Sequence, residues 1–241
     1  MSCPHRPLPH SLRLPIAGLL ALALVASLSA GAWANHTMPT CFGQTPTVVG
    51  TNGADTFSDT DPEDPLRAGD VLLSLGGADR VSLEGNTPRL LICTGAGQDS
   101  VVSEDAGGEG GVSINGQAGA DRIYDRSYAR PPTGHRMRLY GGPGADFLRG
   151  GPANDKIAGG SGPDRASGAY GNDFIRMGRG RDRAEGTAGA DRIGGGPGHD
   201  VLSGGYLISD PGRPDVGTDR VGGGPGRDKC WAEETRACEA P

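Results

Sequence analysis

The chain has 241 residues, a formal net charge of −6 and 44 glycines. Its acidic balance argues against nucleic acid as a partner, because proteins that bind nucleic acid neutralise phosphates with basic surfaces. The glycine content argues against an ordinary compact core, because glycine buries no side chain and loses the most backbone entropy on folding. Something other than apolar burial must therefore help to hold the fold together.

Residues 1–34 are predicted to be a secretory signal peptide. Two arginines precede an apolar stretch at residues 14–28, and the segment ends in the small-residue cleavage signal Ala32-Trp33-Ala34. The apolar stretch is short for a bilayer span, so a membrane anchor is the weaker alternative. Cleavage would leave a secreted chain with a net charge of about −8 and no membrane span.

Residues 35–140 carry short glycine-containing turns that end in aspartate and recur at fairly even intervals. An apolar residue lies two places after each of these aspartates, and another lies two places before each turn begins. This phase predicts irregular coils, each with two short strands, one aspartate turn and a variable loop. The four turns end at Asp55, Asp79, Asp99 and Asp121.

From residue 141 a nine-residue block repeats without a gap as far as residue 203, beginning GGPGADFLR, GGPANDKIA and GGSGPDRAS. Glycine dominates positions 1, 2 and 4 of the block, and an apolar residue usually fills position 8. The repeat resumes after an insertion at residues 204–213 and ends at residue 231, and residues 232–241 are predicted to be a C-terminal cap. Position 6 is always aspartate: Asp146, Asp155, Asp164, Asp173, Asp182, Asp191, Asp200, Asp219 and Asp228.

This period predicts an all-β fold, a parallel β-helix or β-roll solenoid with short strands and Gly-Asp turns. Glycines at positions 1, 2 and 4 allow the positive φ angles of a tight turn, and positions 7–9 form a strand with one inward side chain. Two successive blocks would close one coil, because each block supplies one turn and one strand. Alternate motifs would then stack on the same edge of the solenoid.

The turns offer the oxygen ligands that calcium prefers, namely carboxylates and backbone carbonyls. The block resembles the RTX, or hemolysin-type, calcium-binding repeat G-G-x-G-x-D-x-U-x, strongly over residues 141–231 and more loosely over residues 50–124. The resemblance implies several Ca²⁺ ions between stacked turns, held by the nine repeat aspartates and less regularly by the four earlier ones. Departures from the pattern affect individual sites rather than the architecture: Ala153, Ala169, Met177, Thr187 and Asp215.

Calcium binding and folding are predicted to be coupled. Stacked aspartates would form columns of like charge about 4.8 Å apart. With one modest apolar residue per nine, burial is insufficient to offset both this repulsion and the ordering of the backbone. A divalent cation reverses the sign of the electrostatic contribution.

Four cysteines remain after the predicted cleavage, and they allow two disulfides in three connectivities. The sequence favours Cys41–Cys93, which would tie the start of the chain to a later coil, and Cys230–Cys238, a short C-terminal loop. A zinc site is the alternative, although no C-x-x-C pair occurs.

No H-E-x-x-H or G-x-S-x-G motif occurs, and the repeats leave no long segment for a separate catalytic domain. The predicted function is therefore a non-enzymatic structural, adhesion or matrix-type module. Its partners would be calcium and a polysaccharide or protein of the cell surface or extracellular space.

The alternative is an extracellular parallel β-helix enzyme that acts on acidic polysaccharide with Ca²⁺ and arginines. Arginines that directly follow motif aspartates either occupy a tolerant exposed position or partly neutralise the carboxylates. They are Arg80, Arg122, Arg165, Arg183, Arg192 and Arg220.

Overall fold

The computed structural model of the chain describes residues 12–13, 40–84, 88–104, 111–127, 136–205, 218–232, 234–236 and 238. Most of the predicted signal segment lies outside the described residues, as do most of the predicted insertion at 204–213 and most of the predicted cap at 232–241. Among the described residues, no helix is long and apolar enough to cross a membrane.

The described chain is an all-β solenoid, and the predicted fold class is confirmed. The chain alternates between two long sheets, whose strands pair in parallel except for one antiparallel pair, Leu12–Arg13 with Val48–Val49. In spatial order, sheet 1 consists of β1 (Leu12–Arg13), β2 (Val48–Val49), β4 (Val71–Leu73), β6 (Leu91–Cys93), β9 (Val112–Asn115), β12 (Met137–Pro143), β14 (Lys156–Ser161), β16 (Phe174–Arg179), β18 (Arg192–Gly194), β20 (Arg220–Gly222) and β22 (Glu234–Arg236). Sheet 2 consists of β3 (Thr56–Ser58), β5 (Arg80–Leu83), β8 (Ser100–Ser103), β11 (Arg122–Asp125), β13 (Phe147–Arg149), β15 (Arg165–Tyr170), β17 (Arg183–Ala188), β19 (Val201–Ser203) and β21 (Lys229–Trp231). A further two-stranded pair joins β7 (Ala96–Gly97) to β10 (Ala118–Gly119).

The strand register has the coil length that the repeat predicts. In sheet 1, Leu139 pairs with Ile157 and Ile157 pairs with Ile175, so each regular coil is two nonapeptide blocks long. The earlier coils are longer, as in the pairing of Ile92 with Ile114. Alternate nonapeptides therefore stack on the same edge.

The core is a double row of inward side chains, one from each strand at block position 8. Such alternation follows from the two-residue period of a β-strand, which turns its neighbours outward. Sheet 1 contributes Val48, Leu72, Ile92, Ile114, Leu139, Ile157, Ile175, Ile193 and Val221, all buried. Sheet 2 contributes Phe57, Val81, Val101, Ile123, Leu148, Ala166, Ala184, Leu202 and Cys230, also buried.

The turns need glycine because successive coils approach closely. Gly162, at block position 4, has a φ of 123°, and a Cβ there would lie 1.7 Å from the carbonyl oxygen of Gly144 one coil earlier. Ala169 and Thr187 hold position 2 at φ angles of 79° and 83° despite their side chains. Left-handed backbone of this kind costs a non-glycine residue about 1–2 kcal/mol.

Two disulfides fasten the ends of the solenoid. Cys41 bonds to Cys93 with a Cα–Cα distance of 5.7 Å, and Cys230 bonds to Cys238 at 5.8 Å. These are the pairings that the sequence favours. Cys41 and Cys93 also pack with Val71 and Leu73 in a second apolar cluster, which covers the outer side of β4 and β6.

Replacing Ile175 with alanine should lower the free energy of unfolding in saturating calcium by about 2–4 kcal/mol, because it leaves a cavity in a stacked row. Ile175 is fully buried between Ile157 and Ile193. Urea denaturation followed by circular dichroism measures the change. The exposed Lys156→Ala control should change the value by less than about 0.5 kcal/mol, and an equally small effect of Ile175→Ala would contradict a packed core.

Candidate metal centre

The structure sorts the thirteen predicted aspartates into two columns, one on each edge of the solenoid. Within a column, the backbone N–H of each aspartate except the last donates to the carboxylate Oδ1 of the aspartate one coil later, at 2.8–2.9 Å. The first column contains Asp55, Asp79, Asp99, Asp121, Asp146, Asp164, Asp182, Asp200 and Asp228. The second column contains Asp155, Asp173, Asp191 and Asp219.

All thirteen carboxylates are buried, with at most 4% of each residue exposed. Burying an unpaired charge is costly, so each oxygen needs a donor, a proton or a cation. A backbone N–H of the preceding coil donates a hydrogen bond to Oδ1, but several Oδ2 atoms have no hydrogen-bond partner within the described part of the chain. They belong to Asp121, Asp146, Asp164, Asp182, Asp200 and Asp228 in the first column and to Asp173 in the second.

Backbone carbonyls approach the same places. A Cβ added to Gly141 would lie 2.3 Å from Asp146 Oδ2 and 2.6 Å from the carbonyl oxygen of Gly159, one coil later. The same pair of oxygens, a carboxylate Oδ2 and a carbonyl of the next coil, crowds Gly159 and Gly195. Each turn therefore presents carboxylate and carbonyl oxygens together, and these are the ligands that calcium takes.

The donor set is almost entirely oxygen from the backbone and from single aspartates. Among the described residues, no group of three or more His, Cys, Asp or Glu side chains could hold a metal ion. Most ligands would therefore have to be carbonyls, which suits calcium better than zinc, since zinc prefers sulfur and imidazole nitrogen. The zinc alternative also loses its cysteines, because all four form disulfides.

Burial raises the pKa of nine column carboxylates, because desolvation disfavours their charged form. They are Asp79, Asp99, Asp121, Asp146, Asp155, Asp164, Asp173, Asp182 and Asp200. The pKa is raised to about 7 for Asp121, Asp155 and Asp164, to about 6 for Asp200 and to about 9 for Asp173. Hydrogen bonds from backbone N–H groups oppose the rise, and repulsion from neighbouring aspartates adds to it in these columns. Without a bound cation, several of these groups therefore tend to hold protons near neutral pH.

The departures from the glycine pattern fall mainly on one edge. From residue 141 onward, the first-column turns keep glycine at positions 2 and 4. They depart from the glycine pattern at position 1, where Met177 replaces glycine. Ala153, Ala169 and Thr187 all lie in second-column turns, and Asp215 lies outside the described residues. The first column is thus the more regular series of candidate sites.

Hydroxyl groups hold the carboxylates at the start of the first column. Ser74 occupies position 1 of the turn that ends at Asp79, and its hydroxyl lies 2.5 Å from both Asp79 Oδ2 and the carbonyl oxygen of Thr94. These are the two kinds of oxygen that crowd Gly141. Thr51 likewise donates its backbone N–H and its hydroxyl to Asp55 Oδ2, at 2.6 and 3.0 Å.

Asp125 is a buried carboxylate that the sequence analysis missed. A Cβ on Gly151 would lie 2.5 Å from Asp125 Oδ2, whereas at Gly160 the corresponding neighbour is the carbonyl oxygen of Gly142. Asp125 therefore supplies an oxygen at the start of the second column, where no earlier motif turn precedes, and it helps to raise the pKa of Asp155. An acidic residue at the end of a strand, one coil before the first second-column turn, was the available signal.

A family model for the RTX calcium-binding nonapeptide repeat matches the chain in four copies, at residues 106–124, 138–166, 149–184 and 177–205. The chain carries RTX calcium-binding repeats. The resemblance seen in the sequence is thereby confirmed over these residues, whose described part lies in the middle of the β-solenoid and includes eight of the thirteen column aspartates. No curated protein and no solved structure matched the chain in searches of both.

Replacing Ser74 with glycine should destabilise the calcium-free protein by about 1–3 kcal/mol, because Asp79 Oδ2 loses its donor. The loss should shrink in saturating calcium, since the variant turn then resembles those of the regular RTX repeats. Urea denaturation measures both values, in calcium for the whole chain and in chelator for the early coils around Asp79, which are expected to depend least on the ion. Ser82→Gly, in the adjacent strand β5, is the control for the backbone effect of glycine, and equal losses in the two variants would contradict the role of Ser74.

Acidification should stabilise the calcium-free fold. The folded pKa is about 7 for Asp164, about 9 for Asp173 and about 6 for Asp200, above the unfolded value near 3.8, so their contribution to stability is complete below that value and is lost as the pH rises through about 6–9. In chelator, circular dichroism should show more β structure at about pH 5 than at about pH 8, and the calcium midpoint should rise on acidification because protons compete. A β signal in chelator that does not change between these pH values would contradict the raised pKa values.

Proposed function

We propose that the protein is an exported calcium-binding scaffold whose β-roll folds when calcium enters the aspartate columns. The observation that carries this proposal is the repeated pairing of a buried Oδ2 atom, lacking a hydrogen-bond partner within the described residues, with a carbonyl oxygen of the next coil. The thirteen aspartates of the two columns are the proposed calcium-binding residues, with Asp55 and Asp79 the least dependent on the ion.

Electrostatics supports the coupling of calcium to folding. Adjacent strands lie about 4.8 Å apart, and two carboxylates at that distance repel by about 3 kcal/mol at an effective dielectric of 20. The core offers little to offset this along a whole column, because Ala166 and Ala184 stand consecutively in the inward row of sheet 2. A calcium ion between stacked turns would replace the repulsion with attraction to both coils.

We further infer that the solenoid has two parts with different calcium requirements. Residues 35–140 would form coils with one aspartate turn each, and residues 141–231 would carry turns on both edges. In the coils that precede Asp155, the edge of the second column carries the buried apolar residues Leu90, Val112 and Met137 instead of motif aspartates. The backbone N–H of Met137 donates to Asp155 Oδ1 at 2.7 Å. The first part thus needs fewer ions along that edge.

Export and a non-catalytic role complete the proposal. Two disulfides favour an oxidising compartment, and the predicted signal segment agrees with secretion. Every described carboxylate with a resolved rise in pKa belongs to an aspartate column, which supports cation binding rather than acid–base catalysis. A structural, adhesion or matrix-type role follows from this.

Circular dichroism of the chain from residue 35 during a calcium titration tests the coupling. The β signal should grow with calcium, and Asp182→Asn should raise the calcium midpoint about tenfold, because one coordinating charge is lost. Glu185→Gln removes the same charge three residues away on the outer face, so its midpoint should stay within about twofold. A β signal already complete in excess chelator would overturn the proposal.

A further inference from the structure

We propose that the outer face of sheet 1, from β12 to β20, binds an acidic polysaccharide built from uronic acids. Calcium-induced folding would assemble this face, so the inference rests on the proposed function in that respect. We call the outward side chains of β12, β14, β16, β18 and β20 the basic face.

The parallel register aligns cations along the basic face. Arg138, Lys156, Phe174 and Arg192 follow one another in a single row, one per coil, and all four are exposed. Arg176 stands in the neighbouring row. Successive side chains in the row are one strand separation, about 4.8 Å, apart.

No acidic side chain interrupts the basic face. The strands β12, β14, β16, β18 and β20 contain no Asp or Glu, and the aspartates that precede four of them are buried in the second column. Within the described part of the chain, Arg138, Lys156, Arg176 and Arg192 form no ion pair. Sheet 2 differs, because Arg183 pairs with Glu185 at 3.2 Å on its outer face.

The basic face contains a groove of about 440 Å³. The groove exists because Gly194 and Gly222 take outward positions in register with Arg176, so that two successive coils lack a side chain in this row. The exposed ring of Phe174 forms one wall, with the Arg176 guanidinium 4.8 Å from its centroid. At the other end, the contact of Tyr140 with Phe42 bounds the face, with ring centroids 5.6 Å apart.

This arrangement suits a chain that carries one carboxylate per sugar. Guanidinium groups bind carboxylates through two parallel N–H···O bonds, and the Phe174 ring offers an apolar surface to a sugar. A uronate chain also presents its charges one sugar at a time, which suits one cation per coil. Duplex nucleic acid carries a far denser row of charges along its axis.

Isothermal titration with an oligogalacturonate too short to gel tests the proposal on the chain from residue 35 in calcium. The Arg176→Gln/Arg192→Gln double variant should lower the affinity about tenfold or more, because two charge-assisted contacts are lost. Gly194→Leu should also weaken binding without any change in charge. A Cβ at Gly194 meets no atom within 4 Å, so the side chain fills the groove and leaves the fold undisturbed.

The matched control is Arg122→Gln/Arg165→Gln, which removes the same charge from exposed positions on sheet 2. Its affinity should stay within about twofold of the parent, and equal losses in the two double variants would overturn the proposal. Tighter binding of a single-stranded oligonucleotide than of the oligogalacturonate, at the same salt concentration, would also overturn the proposal. Folded protein that does not bind the oligogalacturonate would overturn it as well.

Circular dichroism on the same samples separates the two proposals. Protein that is fully folded in chelator and binds the oligogalacturonate would overturn the calcium coupling but support the basic face. Protein that folds only with calcium and does not bind the oligogalacturonate would support the calcium coupling but overturn the proposal for the basic face.

Discussion

The hydrogen bond from each aspartate N–H to the carboxylate of the next coil ties the whole solenoid together. It runs through nine aspartates on one edge and four on the other, always from backbone N–H to Oδ1. This bond places the carboxylate inside the turn, so that Oδ2 and a carbonyl crowd the glycine at position 1. Oxygens from two coils converge at position 1, which favours glycine there and favours a cation beside it, although Ser74 and Met177 occupy the same position in their turns. Turn shape and cation demand both follow from that one contact.

The fold could be predicted from the sequence because position 6 and position 8 repeat together, which sets both the coil length and the inward face. The partner of Oδ1 could not be predicted, since it is a backbone group whose direction depends on the path of the turn. Ser74 illustrates a second limit. In the sequence it only breaks the glycine pattern, whereas in the fold its hydroxyl lies between the two oxygens that the other turns leave facing each other. Asp125 escaped notice because it lies outside every motif and reaches the second column only through coil stacking.

The buried carboxylate oxygens are stabilised in different ways in the two halves of the solenoid. Near the start, Ser74 and Thr51 donate hydrogen bonds to column carboxylates, and apolar residues fill the opposite edge. The Cys41–Cys93 disulfide adds a covalent restraint there. Further along, both edges carry aspartates, the inward row of sheet 2 shrinks to alanine at Ala166 and Ala184, and no comparable hydroxyl bridge occurs in the regular first-column turns among the described residues. If calcium binding and folding are coupled as proposed, the early coils would offer a preformed sheet edge on which later coils are added as ions bind, as nearest-neighbour stacking in solenoids allows.

The repeat also separates charge by position, which links the interior to the surface. Position 6 places its aspartate inside the turn, whereas positions 7 and 9 point outward, so the buried columns are acidic while the outer face of sheet 1 from β12 to β20 is basic. A net charge of −6 conceals this division, because the thirteen column aspartates that contribute to it are buried. Calcium in the columns would neutralise the interior acids and leave the outward arginines and lysine to set the surface potential. The same ion that closes the coils would thus determine both when the basic face is assembled and how strongly it attracts an anionic chain.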